Sequence, residues 1–123
     1  MSVRNLQDRP DQSVPESCPK RMEVWFADLP MDRNSSVQGG NRPVLVVSND
    51  IANEHSGTVT VLPLTKKVKH PEMPTHVQME AVDGSGEQTM ILAEQITTID
   101  KSRLRWKIGD CTKIEPEIAA AML

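Results

Sequence analysis

The chain has 123 residues, of which 25% are charged and only 2% are aromatic, and its formal net charge is −3. This length is typical of one domain, and the acidic balance excludes a protein that binds nucleic acid through bulk positive charge, because such binding depends on neutralising phosphates. No apolar run approaches the roughly 20 residues that cross a bilayer, and the N-terminus lacks the apolar stretch of a signal peptide, so we expect a cytoplasmic protein without a membrane partner.

The apolar pattern predicts a disordered N-terminal extension over 1–20 and a single folded domain over 21–123. The extension is polar, contains three prolines and shows no periodic apolar pattern. In the domain, alternation from Val24 to Leu29 predicts a first strand that ends at Pro30 and is followed by a polar loop over 30–42. Later β-rich runs predict strands at 43–48, 58–64, 75–79, 89–93, 95–99 and 105–111.

Short helices are predicted between and after these strands. Asp50 is placed to cap a helical turn that runs through Glu54, and 100–104 is typical of a second turn. A C-terminal helix is predicted to begin at Glu115 and Pro116, since proline and acidic residues favour the first helical turn. Many short strands with turn signals between them favour a small β-barrel or sandwich with helices as caps.

Arg42 and Thr65 are the leading candidates for chemistry. Arg42 follows the pair Gly39-Gly40 and precedes one predicted strand, while Thr65 ends the next strand. Glycines let backbone approach a ligand closely, and a guanidinium presents a planar fork of donors suited to phosphate oxygens. The sequence therefore predicts a phosphate site at one end of the sheet.

The segment 38–50, with sequence QGGNRPVLVVSND, resembles the signature of the MazF/PemK toxins. The blocks 23–29, 74–77 and 91–101 resemble further strands of that family, and the match runs from about residue 20 to the end. The resemblance implies an SH3-like antiparallel barrel with short capping helices and a C-terminal helix. It also implies a sequence-selective, metal-independent endoribonuclease without cofactors, which forms a homodimer and has a cognate antitoxin as partner.

The resemblance also implies roles for particular residues. Arg42 and Thr65 match the family's catalytic arginine and threonine, and the substrate would be single-stranded RNA, cleaved by attack of a ribose 2′-OH on the adjacent phosphate. Lys66, Lys67 and Lys69 follow Thr65 and could form a local positive patch. The residues expected to contact RNA are Gln38, Gly39, Gly40, Lys66, Lys67, Glu94 and Gln95.

Two alternatives remain at this level. One is a non-enzymatic protein of the same fold, such as a CcdB-like gyrase binder, and the other is a weakened toxin that only binds an antitoxin. Val37 stands where the family usually has glutamate, which predicts looser base selection. Trp106 could stack a base, cover the sheet or contact a second subunit, and the low aromatic content disfavours an RNA surface built on stacked aromatics.

Overall fold

The computed structural model describes residues 18–30, 38–68 and 70–123. Most of the predicted extension, together with Val37 and Lys69, lies outside these residues. The described chain forms seven strands and two helices: β1 (Glu23–Leu29), β2 (Gly40–Val46), α1 (Asp50–His55), β3 (Thr58–Thr65), β4 (His76–Glu80), β5 (Gln88–Leu92), β6 (Thr97–Asp100), β7 (Leu104–Asp110) and α2 (Glu115–Ala121). Short 3₁₀ turns occupy Ala93–Gln95, Lys101–Arg103 and Thr112–Ile114.

One antiparallel sheet contains all seven strands: six follow the order β4-β5-β3-β2-β1-β7, and β6 pairs with β3 outside this order. β3 changes its pairing partner along its length: its first half pairs with β6 and its last two residues pair with β5. The sheet curls enough for the Met79 sulfur on β4 to lie 3.7 Å from the Cys111 sulfur just after β7. The predicted mainly β, antiparallel fold with a C-terminal helix is confirmed.

The sheet is buried on both faces. Successive side chains of a strand point to opposite faces, and on β2 Leu45 packs in one apolar cluster while Val44 and Val46 pack in another. Ile118 of α2 covers the first cluster, and Trp25 lies in the second at 4% exposure. Burial on both faces explains why β2 has a continuous apolar run rather than an alternating one.

Three boundaries predicted from sequence need correction. β2 begins at Gly40 rather than at residue 43, because its backbone already pairs with β1 there, with Gly40 opposite Leu29. The cap of α1 is Asn49, whose side chain accepts a 2.8 Å hydrogen bond from the Ala52 amide. The predicted strand over 95–99 begins only at Thr97, since the preceding residues form a 3₁₀ turn.

None of the helices in the described ranges is long and apolar enough to cross a membrane. Cys18 and Cys111 are both free thiols.

Candidate active site

A cavity of about 500 Å³ opens where β1, β2 and β3 meet. β2 and β3 run antiparallel with Val44 opposite Pro63, so continuing that register by two residues brings Arg42 level with Thr65. The structure therefore brings the two leading candidates together at the place that sequence reasoning predicted. The cavity is lined by Phe26, Gln38, Asn41, Arg42, Pro43, Leu64, Thr65, Lys66 and Lys67.

The Arg42 guanidinium is partly buried and is held by two backbone carbonyls. Its Nε donates to the Gly39 oxygen at 3.0 Å and its Nη1 donates to the Leu64 oxygen at 3.2 Å. Since a guanidinium has five N–H donors, these two bonds leave three for a ligand. Loss of solvent lowers the pKa of Arg42 from its ordinary value, but an arginine still keeps its charge at neutral pH. The group is a positioned, charged donor.

Thr65 lines the same cavity and is largely buried. Thr65 is only 7% exposed, and its Oγ1 accepts a 3.2 Å hydrogen bond from the Lys67 amide. That bond uses the oxygen as an acceptor, so the hydroxyl hydrogen can still be donated. Thr65 therefore combines the local backbone contact expected of a threonine at a strand end with a donor at the cavity.

The positive patch is smaller than the run of lysines suggested. Lys66 Nζ forms a 2.9 Å ion pair with Glu87, and the hydrogen bond and charge of that carboxylate raise the pKa of Lys66. Within the part of the chain that the structure describes, Lys67 forms no ion pair, and Lys69 lies outside it. Lys67 is thus the lysine at the cavity whose charge a phosphate could use.

The loop before β2 is tied to the turn after β5. The Gln38 backbone N–H donates a 2.7 Å hydrogen bond to the Gln95 side-chain oxygen, across 57 residues of sequence. Gly40 has a φ of +77°, which a residue with a side chain rarely adopts. Gly39 contributes its carbonyl to Arg42, so this predicted RNA-binding residue also holds the guanidinium in place.

Glu94 precedes Gln95 in the sequence, but its carboxylate faces a different group. Its Oε2 lies 2.9 Å from His76 Nε2, while His76 Nδ1 lies 3.0 Å from the His70 oxygen. Burial alone would raise the pKa of Glu94, but the hydrogen bond to His76 and further favourable contacts outweigh it, so the pKa is lowered. The structure thus places Glu94 in a pair with His76 rather than on the wall of the Arg42 cavity.

Sequence reasoning missed Phe26 as part of the site and left the role of Trp106 open. Phe26 lines the cavity, and Trp106 on β7 stacks on it with ring centroids 4.8 Å apart and an interplanar angle of 12°. The pairing of β1 with β7 places Phe26 opposite Trp106, but nothing in the sequence of either strand states that register. Among the described residues no group of three or more His, Cys, Asp or Glu side chains could hold a metal ion, and the metal-free reaction stays a prediction.

Comparison with known proteins agrees with this geometry. The family model described as "PemK-like, MazF-like toxin of type II toxin-antitoxin system" matches residues 20–121. Over 90 residues, the chain is 48% identical to endoribonuclease EndoA of Bacillus subtilis (strain 168), covering 72% of this chain and 77% of that protein. It is 40% identical over 90 residues to endoribonuclease MazF of Staphylococcus saprophyticus, covering 72% and 74%.

A solved structure, an endoribonuclease from a mycobacterial species in complex with its cognate antitoxin, superposes with a TM-score of 0.67 at 28% identity, covering 85% of this chain and 90% of that one. A family match over most of the chain, two relatives well above 30% identity and a shared fold all point the same way. The chain belongs to the PemK-like, MazF-like toxins of type II toxin–antitoxin systems and is an endoribonuclease of the MazF type.

Proposed function

We propose that this protein cleaves single-stranded RNA at selected sequences in the Arg42–Thr65 cavity. A ribose 2′-OH of the substrate attacks the adjacent phosphorus, the bond to the 5′-oxygen of the next nucleotide breaks, and that oxygen takes up a proton. The products are a 2′,3′-cyclic phosphate and a 5′-OH end. The observation that supports this most directly is a partly buried guanidinium, with three N–H groups not bonded to the described residues, in a cavity that Thr65 also lines.

The two residues have different tasks in this reaction. Arg42 stabilises the extra negative charge that develops on the phosphorane oxygens, which is a strong effect when the donors are fixed beforehand. It is a poor general base, because arginine holds its proton at neutral pH. Thr65 donates a hydrogen bond to the scissile phosphate and orients it. No metal is required in this scheme, since the nucleophile belongs to the substrate.

The remaining predicted contacts surround this centre. Lys67 binds a neighbouring phosphate, and the Gln38–Gln95 link presents the glycine loop to the RNA backbone. Glu94 contributes to base selection from its position beside Gln95, with its carboxylate held by His76. Lys66 adds a weaker contribution because Glu87 already pairs with it.

We further propose a homodimer as the active form and a cognate antitoxin as the regulatory partner, acting in the cytoplasm. The mycobacterial relative was solved with its antitoxin. A groove shared by two copies would help an acidic chain assemble enough local contacts to hold a polyanion. Light scattering at micromolar concentration should give the mass of two chains, and a monomer throughout would count against the shared groove.

The decisive experiment is cleavage of a mixed RNA pool by the purified protein, with the chemistry of the new ends mapped. We expect cyclic phosphates, 5′-OH ends and a preferred cut sequence, with a rate that excess EDTA leaves unchanged. Arg42→Ala protein, purified identically, controls for contaminating nuclease. If cleavage stops in EDTA and returns when magnesium is added, the metal-free mechanism is wrong. If the protein binds its antitoxin but cleaves no RNA, the non-enzymatic alternative is favoured.

A further inference from the structure

An aromatic surface continues from the wall of the cavity to the edge of the sheet. Phe26 on β1 lies opposite Pro43 on β2 and opposite Trp106 on β7 in the strand registers. Neighbouring strands are about 4.8 Å apart, so Trp106 is roughly 10 Å from the β2 row. Phe26 and Pro43 line the cavity, and Trp106 stacks on the Phe26 ring.

Trp106 differs sharply from the other tryptophan of the chain. Trp25 is 4% exposed, whereas Trp106 is 39% exposed. An exposed apolar residue by itself needs no special explanation. Trp106 is notable because its ring contact connects it directly to a residue of the cavity wall.

The charges next to Trp106 are already matched. Arg105 lies 3.4 Å from an Asp28 carboxylate oxygen, and Lys107 lies 3.1 Å from a Glu23 carboxylate oxygen. Arg103 also lies 3.8 Å from Asp28, so the basic residues around the ring each have a carboxylate within 4 Å, which reduces their attraction for a phosphate. A nucleotide has one anionic part and one flat, uncharged part, so the cationic cavity and the neutral aromatic surface match its two halves.

We propose that the Phe26–Trp106 stack binds a base of the RNA, on a nucleotide next to the scissile phosphate. The inference rests on the proposed function of the cavity and adds a specific subsite to it. Base stacking on an aromatic ring is tolerant of base identity, because every base has a π-face. The stack therefore strengthens binding and positions the strand, while the polar groups around the cavity select the sequence.

Two matched variants separate stacking from simple coverage of the sheet. Trp106→Leu keeps an apolar side chain but removes the aromatic face, and Trp106→Phe keeps an aromatic face of smaller area. With an oligoribonucleotide that carries the mapped cut sequence, we expect Trp106→Leu to raise KM about tenfold with a much smaller change in kcat, and Trp106→Phe to recover most of the loss. Equal KM values for the two variants and the parent would overturn the proposal.

Abasic substitution identifies the base concerned. Removing one base at a time around the cut site should weaken binding to the parent protein, and at one position this penalty should vanish in Trp106→Leu, because the stacking partner is already gone. Penalties that are the same in both proteins at every position would refute a base at this site. If Arg42→Ala loses cleavage while Trp106→Leu behaves as the parent, this inference is rejected and the proposed function stands.

Tryptophan fluorescence and the molecular mass of the protein in solution test the proposal independently. A strand made uncleavable by a 2′-deoxy sugar at the cut site should quench tryptophan emission in the parent but not in Trp106→Phe, since Trp25 is buried away from ligand. If Trp106→Leu instead converts a dimer to a monomer while RNA leaves the emission of the parent unchanged, the ring contacts a second copy of the chain and the proposal is wrong.

Discussion

Arg42→Ala is the substitution for which the structure gives the sharpest expectation. It deletes the two N–H donors that bond Gly39 and Leu64 together with the three remaining N–H groups of the guanidinium. Losing a preorganised donor from a site of developing charge typically lowers kcat by about 100- to 1,000-fold, or roughly 2.7–4 kcal/mol. We expect a loss at the upper end of that range or beyond it, because the whole fork and its charge disappear together.

The same substitution should also lower the free energy of unfolding. Sequence reasoning treated Arg42 as a loop residue with little packing, but it lies inside β2 and joins β2 to the Leu64 carbonyl of β3. Hydrogen bonds from a charged donor contribute about 1.5–3 kcal/mol each, and neutral ones about 1. The cavity is open, so water can replace part of what is lost, and we expect a decrease of about 1–3 kcal/mol in urea titration.

Arg42→Lys is the matched control. A lysine keeps the charge but has one compact ammonium in place of a planar fork, so it cannot bond both carbonyls and a phosphate as the guanidinium does. We expect kcat/KM on the mapped RNA to lie between the values for the parent and Arg42→Ala. A folded Arg42→Ala protein, shown by circular dichroism, that cleaves with the parental kcat/KM would refute the role of Arg42.

Other residues of the site give expectations of the same kind. Thr65→Val keeps the shape but removes the hydroxyl, and we expect a large loss of kcat with a modest change in RNA binding; intact kcat would make Thr65 only a strand residue. Lys67→Ala should reduce the slope of log affinity against log salt by roughly 0.7. Lys66→Ala should change this slope less, because Glu87 already pairs with Lys66. Equal changes in the two variants would mean that the Lys66–Glu87 ion pair does not persist in solution. Val37 lies outside the described residues. A valine side chain cannot accept a hydrogen bond from a base amino group, so Val37→Glu should narrow the set of cut sites. Identical cut-site profiles for the parent and Val37→Glu, from one sequenced RNA pool, would show that this position does not read bases.

Much of the fold follows from local sequence. Alternation from Val24 to Leu29 and the β-rich runs that follow predicted most strands to within a few residues, because side chains on a strand face opposite sides and the core selects apolar ones. The family resemblance of the segment 38–50 was confirmed, and the phosphate site predicted at Gly39, Gly40 and Arg42 stays a prediction. The strands and the family signature depend on residues close together in the chain, so sequence alone determines them.

The partners of the site residues were decided by tertiary structure. Arg42 bonds Leu64, Gln38 bonds Gln95, and Lys66 pairs with Glu87. Each contact joins different elements, and its existence depends on strand register, on how strongly the sheet curls and on which acid is nearest. A shift of one residue in register would send each strand side chain to the opposite face.

The contact between Phe26 and Trp106 is the clearest case of a feature that only the tertiary structure decides. They lie 80 positions apart in the sequence numbering, and the low aromatic content argued against a stacked surface. They meet because β1 pairs with β7, at the end of the strand order. Pairing between strands so distant in sequence is determined by the burial and backbone hydrogen bonds of the whole sheet, which local patterns do not encode.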